Sequence, residues 1–307
     1  MGKPTIKVGH LKITDHLVLG LTKNKIDKGE EKFNYSDLET VPMMGWDYVG
    51  DALKNNELDA AFILAPYSME IFNEMKDIKL VLLGHKTGSV FIKNKRLNIQ
   101  KLEDFKGKTI LIPFHLSVHM MLIHKLFSQK GMEVGPGKDV VLEVMAPAQI
   151  AEAMEWDEDG TLGGFMVAEP YGSQVVKSGY GEELALSKNL WPDHPCCVFV
   201  VKDHIIQKYP DAVQEMCNSF VKSGLFAKEN PVEAAKSLTD FLSQDYELIK
   251  KVLTEPADRV KTTELMPQIK DLEIIQEYMT KKISALSSKV DLEKFVDFTF
   301  AKEAKAI

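Results

Sequence analysis

Side chains able to do chemistry are concentrated in one stretch of this 307-residue chain, residues 163–201. The stretch carries a carboxylate, a phenol, an imidazole and two adjacent thiols: Glu169, Tyr171, His194, Cys196 and Cys197. An apolar run at 165–168 predicts a buried strand that ends at Glu169, and a second apolar strand is predicted after the thiols. Because α/β proteins bind ligands at the ends of core strands, we expect Glu169, Tyr171 and Cys197 to line a ligand site.

A second candidate group follows the first predicted strand, at 5–8. Thr14, Asp15 and His16 lie where a helix is predicted to begin, with Thr14 or Asp15 as its N-cap. The first amide groups of a helix lack partners and attract anions or polar ligands, so these three residues are candidates for ligand contact. In the alternative interpretation, Asp15 only caps the helix and His16 is exposed.

A third group lies at the start of an amphipathic helix predicted at 114–130. Pro113 ends the preceding strand, Ser117 is the predicted N-cap, and His119 falls in the first turn beside the free amides. We expect Ser117 and His119 to contact the ligand; a hydrogen-bonded core histidine is the alternative for His119.

Other candidates lie at the ends of further predicted strands. Residues 58–66 form a near-continuous apolar run, which is typical of a strand covered on both faces, and Pro66 and Tyr67 stand at its end. Ser89 begins the next extended segment. We add these three residues to the predicted ligand site.

Catalysis and metal binding have weaker support. The residues His16, His119, Glu169 and His194, together with the adjacent thiols, could bind zinc or iron, but their spacing is scattered and buried cysteine commonly acts as a small apolar residue. The chain contains no P-loop, G-x-G-x-x-G, G-x-S-x-G, C-x-x-C or H-E-x-x-H motif. We therefore expect no catalytic residue, no metal and no cofactor.

Length and charge restrict the classes of protein. A chain of 307 residues with 45% apolar residues is long enough for two cores, so two lobes are expected. The net charge of −7 is dispersed, which argues against nucleic-acid binding. Three cysteines do not make a disulfide framework. The first residues lead directly into a strand, so we expect no signal peptide here. Two locations remain open: a cytoplasmic protein, or a secreted protein whose leader was replaced.

Alternating strand and helix signals run to residue 201 and predict an α/β fold with a parallel or mixed sheet. Beyond that point the apolar spacing is helical, at 203–229, 231–243, 245–253, 268–286 and 291–303. The charged residues of this C-terminal segment are expected to form its solvent-exposed face.

Several motifs together resemble one family. The pattern E-P-Y-G, a glycine pair and L-W-P-D-H-P before an apolar strand is similar to solute-binding proteins of nitrate, bicarbonate, sulfonate and taurine uptake systems. GWDYVGDAL, LDAAFILAP, IPFHLSVHMML and APAQI resemble further segments of that family in the same order. The resemblance implies a type II periplasmic-binding fold, with two α/β lobes around a cleft, and partnership with an ABC permease and its ATPase subunits. It also implies a monomer located outside the cytoplasm.

The resemblance adds specific site residues. Trp46 and His119 match positions that line the anion pocket in the nitrate and bicarbonate branch. That branch carries E-K, or an acidic residue with a metal, after H-P; this chain has Cys196 and Cys197 there. A thiol supplies neither a fixed positive charge nor a carboxylate oxygen, so the expected solute is anionic or zwitterionic but not nitrate itself.

Two hypotheses follow from the sequence. In the first, the chain is a binding protein, not an enzyme, with lobe one at 1–88 and 200–307 and lobe two at 89–199. The alternative is a cytoplasmic enzyme of the thiamine-pyrimidine synthase type on the same fold. That alternative rests on a likeness of two cysteines and Phe199 to the cysteine-rich motif of those enzymes.

Overall fold

The structure is a computed structural model that describes residues 2–307. Its strands are β1 (Thr5–His10), β2 (Asp37–Pro42), β3 (Ala60–Leu64), β4 (Ile78–Leu83), β5 (Lys86–Thr87), β6 (Ser89–Asn94), β7 (Lys108–Ile112), β8 (Val140–Val144), β9 (Leu162–Ala168), β10 (Gly181–Leu186), β11 (Cys197–Lys202) and β12 (Val260–Lys261).

Helices cover the faces of the sheets and form most of the chain after β11. They are α1 (Leu17–Asp27), α2 (Trp46–Lys54), α3 (Ala65–Met75), α4 (Val118–Ser128), α5 (Pro147–Trp156), α6 (Tyr171–Lys177), α7 (Ser187–Leu190), α8 (Asp203–Lys208), α9 (Pro210–Glu229), α10 (Pro231–Ser237), α11 (Thr239–Leu242), α12 (Tyr246–Thr254), α13 (Ile269–Tyr278), α14 (Leu292–Phe295) and α15 (Phe298–Glu303). Short 3₁₀ turns occur at Thr14–His16 and Leu102–Phe105, and a π-helical turn at Met279–Ile283 extends α13.

The first sheet has the strand order β2-β1-β3-β11-β4. Strand β1 runs parallel to β2 and β3, whereas β11 runs antiparallel to both β3 and β4. Every residue of β3 and β11 is buried, as expected for strands with helices on both faces. The predicted strand at 58–66 is therefore present in shortened form at the centre of this sheet.

The second sheet has the order β10-β6-β9-β7-β8, with β7 parallel to β8 and β9 and with β6 antiparallel to β9 and β10. Strand β10 and helix α7 were not predicted, because GEELAL has three exposed positions and lacks the apolar alternation of a half-buried strand. Both predicted α/β lobes are present.

Two connections join the sheets. The chain leaves β4 through 84–88 and returns through 191–196, and the two segments run side by side, with the Thr87 amide donating to the His194 carbonyl at 3.0 Å. The prediction placed 197–199 in lobe two, but these residues belong to β11 and pair with β3 and β4 of the first sheet. The second connection therefore ends before Cys197.

The beginning of the first long helix also differs from the prediction. Thr14–His16 form a 3₁₀ turn, and α1 begins at Leu17 without a side-chain cap. Asp15 does not cap the helix because its carboxylate turns inward toward His85. The alternative in which His16 is exposed is wrong, since its side chain is fully buried.

The predicted helix at 203–229 is interrupted, with Pro210 as the first residue of α9, where its missing amide hydrogen costs no hydrogen bond. Helix α9 packs against α1, where the hydroxyl of Thr22 lies 3.0 Å from that of Ser219 and 2.9 Å from that of Ser223. Within residues 2–307, no helix is both long enough and apolar enough to span a bilayer.

Candidate functional site

The centre of the candidate site is an ion pair between the 3₁₀ turn after β1 and the connection after β4. Oδ2 of Asp15 lies 3.0 Å from Nε2 of His85, and neither side chain is exposed. Burial alone would lower the pKa of His85, but the Asp15 carboxylate, helped by Cys196, raises it to about 10. The backbone amide of Cys197 also lies 3.1 Å from Nε2, so this nitrogen has two competing partners.

The two adjacent thiols complete this group. Sγ of Cys197 lies 3.8 Å from Oδ2 of Asp15, and one ligand atom from each of Asp15, His85, Cys196 and Cys197 falls within 4.8 Å of the others. A hydrogen bond from Cys197 and the proximity of His85 outweigh burial and lower the pKa of Cys196, whereas burial raises that of Cys197. Among residues 2–307, this is the group whose donor atoms could hold a metal ion.

Three more histidines surround the group, and all are held neutral. Burial lowers the pKa of His119 to about 3, with further lowering by His194 and His85. Burial also lowers the pKa of His194 to about 4 and that of His16 well below its usual value. Imidazoles in this state offer neutral donors and acceptors instead of positive charges.

Each of these side chains leaves one polar atom without a protein partner. Nδ1 of His194 donates to the Pro195 carbonyl at 3.2 Å, which leaves Nε2 as a free acceptor. Nε2 of His119 lies 2.8 Å from Oγ of Ser89, which leaves Nδ1 free. The buried atoms without a partner in this region are Asp15 Oδ1, His16 Nε2, Trp46 Nε1, His85 Nδ1, His119 Nδ1 and His194 Nε2.

These six atoms come from both lobes and from both connections. Asp15, His16 and Trp46 belong to the first lobe, and the ring of Trp46 meets that of His16 edge-on at 5.8 Å. His85 and His194 lie on the connections, and His119 lies in the first turn of α4 in the second lobe. Since buried polar groups in proteins nearly always have partners, six unpaired atoms in one region indicate a binding site.

Gly88 provides the space beside the ion pair. Its φ is 93°, and a Cβ at this position would lie 3.0 Å from Asp15 Oδ1 and 3.1 Å from His85 Nδ1. The two unpaired atoms therefore face the same point, which a side chain would fill. Only glycine combines this backbone conformation with the open space.

A cavity of about 580 Å³ lies beside Trp46. Met44 and the start of α2, with Trp46 and Tyr48, line it on the first-lobe side, and Phe114 and Met145 line it on the second-lobe side. Trp46 thus borders both the cavity and the buried site.

Glu169 has a different environment from the ion pair. Its carboxylate accepts hydrogen bonds from the amide and hydroxyl of Ser173 at 2.9 and 2.8 Å and from Nη1 of Arg259 at 2.7 Å. Its carbonyl accepts from the amide and hydroxyl of Thr14 at 2.8 and 2.9 Å. We call this set, Thr14, Glu169, Ser173 and Arg259, the Glu169 brace; it ties the first lobe, α6 and the C-terminal segment together.

Comparisons with known proteins agree with this architecture. The model of the NMT1-like family matches residues 1–240. The chain belongs to the NMT1-like family.

Characterised relatives of this NMT1-like protein include the nitrate/nitrite binding protein NrtA of Nostoc sp. (strain PCC 7120), 27% identical over 257 residues, which cover 76% of this chain and 57% of the relative. The taurine-binding periplasmic protein of Escherichia coli K12 is 28% identical over 152 residues, or 50% of this chain and 44% of the relative. The chain thus spans about half the length of these curated relatives.

Solved structures are similar over nearly the whole chain. The ligand-binding component of an ABC-type import system from Staphylococcus aureus, determined with zinc bound, is 25% identical with a TM-score of 0.85 and covers 98% of this chain and 99% of its own. The periplasmic nitrate-binding protein NrtA from Synechocystis PCC 6803 has a TM-score of 0.83 at 18% identity, covering 98% and 88%. The predicted two-lobed periplasmic-binding fold and the predicted family resemblance are confirmed.

The predicted site residues of the NMT1-like protein fall into two sets. Asp15, His16, Trp46, His119 and Cys197 lie together at the buried site. The remaining predicted residues support the chain around it: Thr14, Pro66, Tyr67, Ser89, Ser117, Glu169 and Tyr171. Roles in ligand contact stay predictions for all of them.

The supporting residues have identifiable local contacts. Oγ of Ser117 accepts from the Met120 amide at 3.1 Å, as predicted for an N-cap, and donates to the Phe114 carbonyl at 2.6 Å. Pro66 occupies the first turn of α3, and Tyr67 packs on Phe114 of the other lobe with ring centroids 4.6 Å apart. Burial raises the pKa of Tyr67 to about 12 and also raises that of Tyr171.

Sequence reasoning missed His85, Gly88 and Arg259. The segment G-H-K-T-G directly after a buried strand was a usable signal for the first two, because a histidine between glycines at a strand end is placed where ligands bind. Arg259 had no local signal, since its partner Glu169 is 90 residues away.

Proposed function

We propose that this NMT1-like protein is the solute-binding component of an ABC importer and holds a small anionic or zwitterionic solute between its lobes. The observation that carries the proposal is the set of six unpaired buried atoms supplied by both lobes and both connections. A solute that pairs with them would join the lobes, and closure around it would exclude water.

The chemistry of these atoms favours a solute recognised by neutral groups. Trp46 contributes an indole N–H donor, and His16, His119 and His194 contribute neutral imidazole nitrogens. The positive charge of His85 is balanced by Asp15. Nitrate lacks the additional polar or apolar groups that would use such a varied surface, and Cys196 and Cys197 provide no fixed cation for it.

The relatives support the class of function. Those with similar sequences are named as binding proteins for nitrate and nitrite, bicarbonate and taurine, and others as ATP-binding proteins of nitrate and bicarbonate transport. On this basis the protein acts outside the cytoplasm and partners a permease and its ATPase subunits; that it does so as a monomer is part of the proposal. It performs no catalysis.

Thermal shift with taurine, ethanesulfonate, bicarbonate and nitrate tests the solute class. We expect one of the first three to stabilise the protein by about 2.7 kcal/mol at a hundredfold excess over its Kd, and nitrate to have no effect. Trp46→Phe keeps a ring but removes the N–H donor. The loss of this charge-assisted hydrogen bond should weaken binding of the effective solute by roughly ten- to a hundredfold.

The matched control is Trp156→Phe, since this tryptophan is 74% exposed at the end of α5. The effective solute should also reduce the radius of gyration in small-angle scattering. Stabilisation by nitrate would contradict the predicted selectivity. An unchanged radius with a bound solute, or equal binding by both tryptophan variants, would contradict binding between the lobes.

A further inference from the structure

The group formed by Asp15, His85, Cys196 and Cys197 combines ligand types that transition metals prefer. Thiolate sulfur and imidazole nitrogen select zinc-class ions, and a carboxylate completes a four-ligand set. We call these residues the thiol cluster. All four are fully buried, as in a structural zinc site that has no open coordination position.

The distances within the thiol cluster are close to those of a tetrahedral ion site. Metal–ligand bonds of roughly 2.0 to 2.3 Å imply edges of roughly 3.3 to 3.8 Å between ligand atoms. Oδ2 of Asp15 lies 3.0 Å from Nε2 of His85 and 3.8 Å from Sγ of Cys197. The largest separation in the group is at most 4.8 Å, so shifts of about 1 Å at side chains bring every ligand within bonding range.

The protein leaves this cluster incompletely satisfied. Oδ1 of Asp15 and Nδ1 of His85 have no hydrogen-bond partner, although both atoms are buried. Within residues 2–307, His85 is the one basic side chain that forms an ion pair with Asp15. Burying a carboxylate and two thiols is costly, and a divalent cation bound at Oδ2 and the sulfur atoms would neutralise their charge.

Nε2 of His85 cannot satisfy both of its neighbours. It lies within 3.1 Å of the Cys197 amide, a donor, and within 3.0 Å of Asp15 Oδ2, an acceptor. One nitrogen cannot serve both at once, because it either carries a proton or presents a lone pair. An ion between the imidazole and the carboxylate satisfies both groups.

We propose that the thiol cluster binds one divalent zinc-class ion, with Asp15, His85, Cys196 and Cys197 as its ligands. The ion would fix the connection after β4 against the start of β11 and the turn after β1, and so hold the surfaces that carry the unpaired histidine atoms. All four ligands are supplied by the protein, so binding of the ion can be measured without a solute.

The test begins with the wild-type protein purified under reducing conditions without chelator, then dialysed against Zn²⁺ and analysed by elemental mass spectrometry. We expect one zinc per chain. With Co²⁺ in place of Zn²⁺, we expect near-ultraviolet thiolate-to-cobalt charge-transfer absorption and the strong visible bands of tetrahedral coordination. The cobalt spectrum requires no variant, so it remains decisive if a substitution prevents folding.

Variants then assign the ligands. Cys196→Ser, Cys197→Ser and His85→Gln should each weaken zinc binding by at least about a hundredfold, since outer-shell substitutions alone weaken metal sites by 10- to 100-fold. Cys217→Ser is the matched control, because Cys217 is a buried free thiol of α9 outside the cluster. It should bind zinc as the wild type does.

Three results would overturn the proposal: less than about a tenth of a zinc per chain at saturation, a cobalt spectrum without thiolate bands, or a loss of zinc binding in Cys217→Ser as large as in the cluster variants. Oxidation of Cys196 and Cys197 to a disulfide that persists under the reducing conditions would also overturn it. Solute binding is measured separately on chelator-treated protein, so failure of the metal site and failure of the transport proposal give different results.

Discussion

Two buried carboxylates near the lobe connections have opposite environments. Glu169 accepts two hydrogen bonds from Ser173 and one from Arg259, and its side chain is fully buried. Asp15 is equally buried but has an unpaired Oδ1 and, among residues 2–307, no ion pair with lysine or arginine. Burial raises the pKa of Glu169, and Arg259 and Ser173 offset part of that rise.

The contrast assigns a structural role to Glu169 and a binding role to Asp15. Both oxygens of the Glu169 carboxylate are already engaged by protein donors, so the Glu169 brace stabilises the arrangement of the lobes. A carboxylate with an open oxygen, beside unpaired imidazoles, retains capacity for a ligand or an ion. The predicted site contained both kinds of residue because sequence shows the carboxylate and not its partners.

The largest expected effect comes from breaking the Glu169 brace. Arg259→Ala leaves Glu169 buried without its counter-charge and should lower the free energy of unfolding by about 3–5 kcal/mol. Urea denaturation measures this loss. Glu183→Gln is the matched control, because it removes the other carboxylate partner of Arg259, at 2.9 Å, whose side chain is 40% exposed; it should cost at most about 1 kcal/mol. Equal costs for the two variants would show that the brace is not the stabilising contact.

A smaller effect distinguishes the two carboxylates directly. Glu169→Gln removes the charge that pairs with Arg259 and should cost about 2–4 kcal/mol, whereas Asp15→Asn in metal-free protein should cost about 1 kcal/mol or less. The reason is that His85 can lose its proton once the Asp15 carboxylate is gone, whereas Arg259 keeps its charge, so only Glu169→Gln leaves a buried cation without its counter-charge. Chemical denaturation of both variants in chelator gives the comparison. A cost for Asp15→Asn as large as that for Glu169→Gln would remove the distinction between the two regions.

The effect that is smallest at neutral pH, and grows only on acidification, is a change in pH dependence on the binding side. Burial lowers the pKa of His119 to about 3, whereas the unfolded chain protonates this histidine below about 6.5. Since the unfolded state binds the extra proton, His119 makes stability fall as pH decreases from about 6.5 toward 3, by about 1.4 kcal/mol per pH unit.

His119→Gln should therefore reduce the acid-side slope of stability against pH, measured by urea denaturation between pH 6.5 and 4. The exposed His204→Gln serves as the control and should leave the slope unchanged. An unchanged slope in His119→Gln would show that His119 is already protonated, and thus positively charged, in the folded protein.

Local sequence patterns determined much of the secondary structure of this protein. Continuous apolar runs placed β3 and β11 in a core, the serine before an amphipathic run placed the Ser117 cap, and His119 followed from it in the first turn of α4. These features depend on periodicity and on side-chain bonds to nearby amides, which act over a few residues. The family motifs extended the same information to the two-lobed fold and to Trp46.

Only the tertiary structure decided which polar groups meet. Asp15 reaches Cys197 across 182 residues of sequence, and Glu169 reaches Arg259 across 90. The second connection leads into β11, which lies between β3 and β4 of the first sheet, and thereby brings both cysteines beside Asp15 and His85. The register of distant strands sets such contacts, and no local pattern encodes that register. For this reason the sequence identified Asp15 and Cys197 as side chains that can bind a ligand. Only the fold shows that they lie in one cluster and that Glu169 lies outside it.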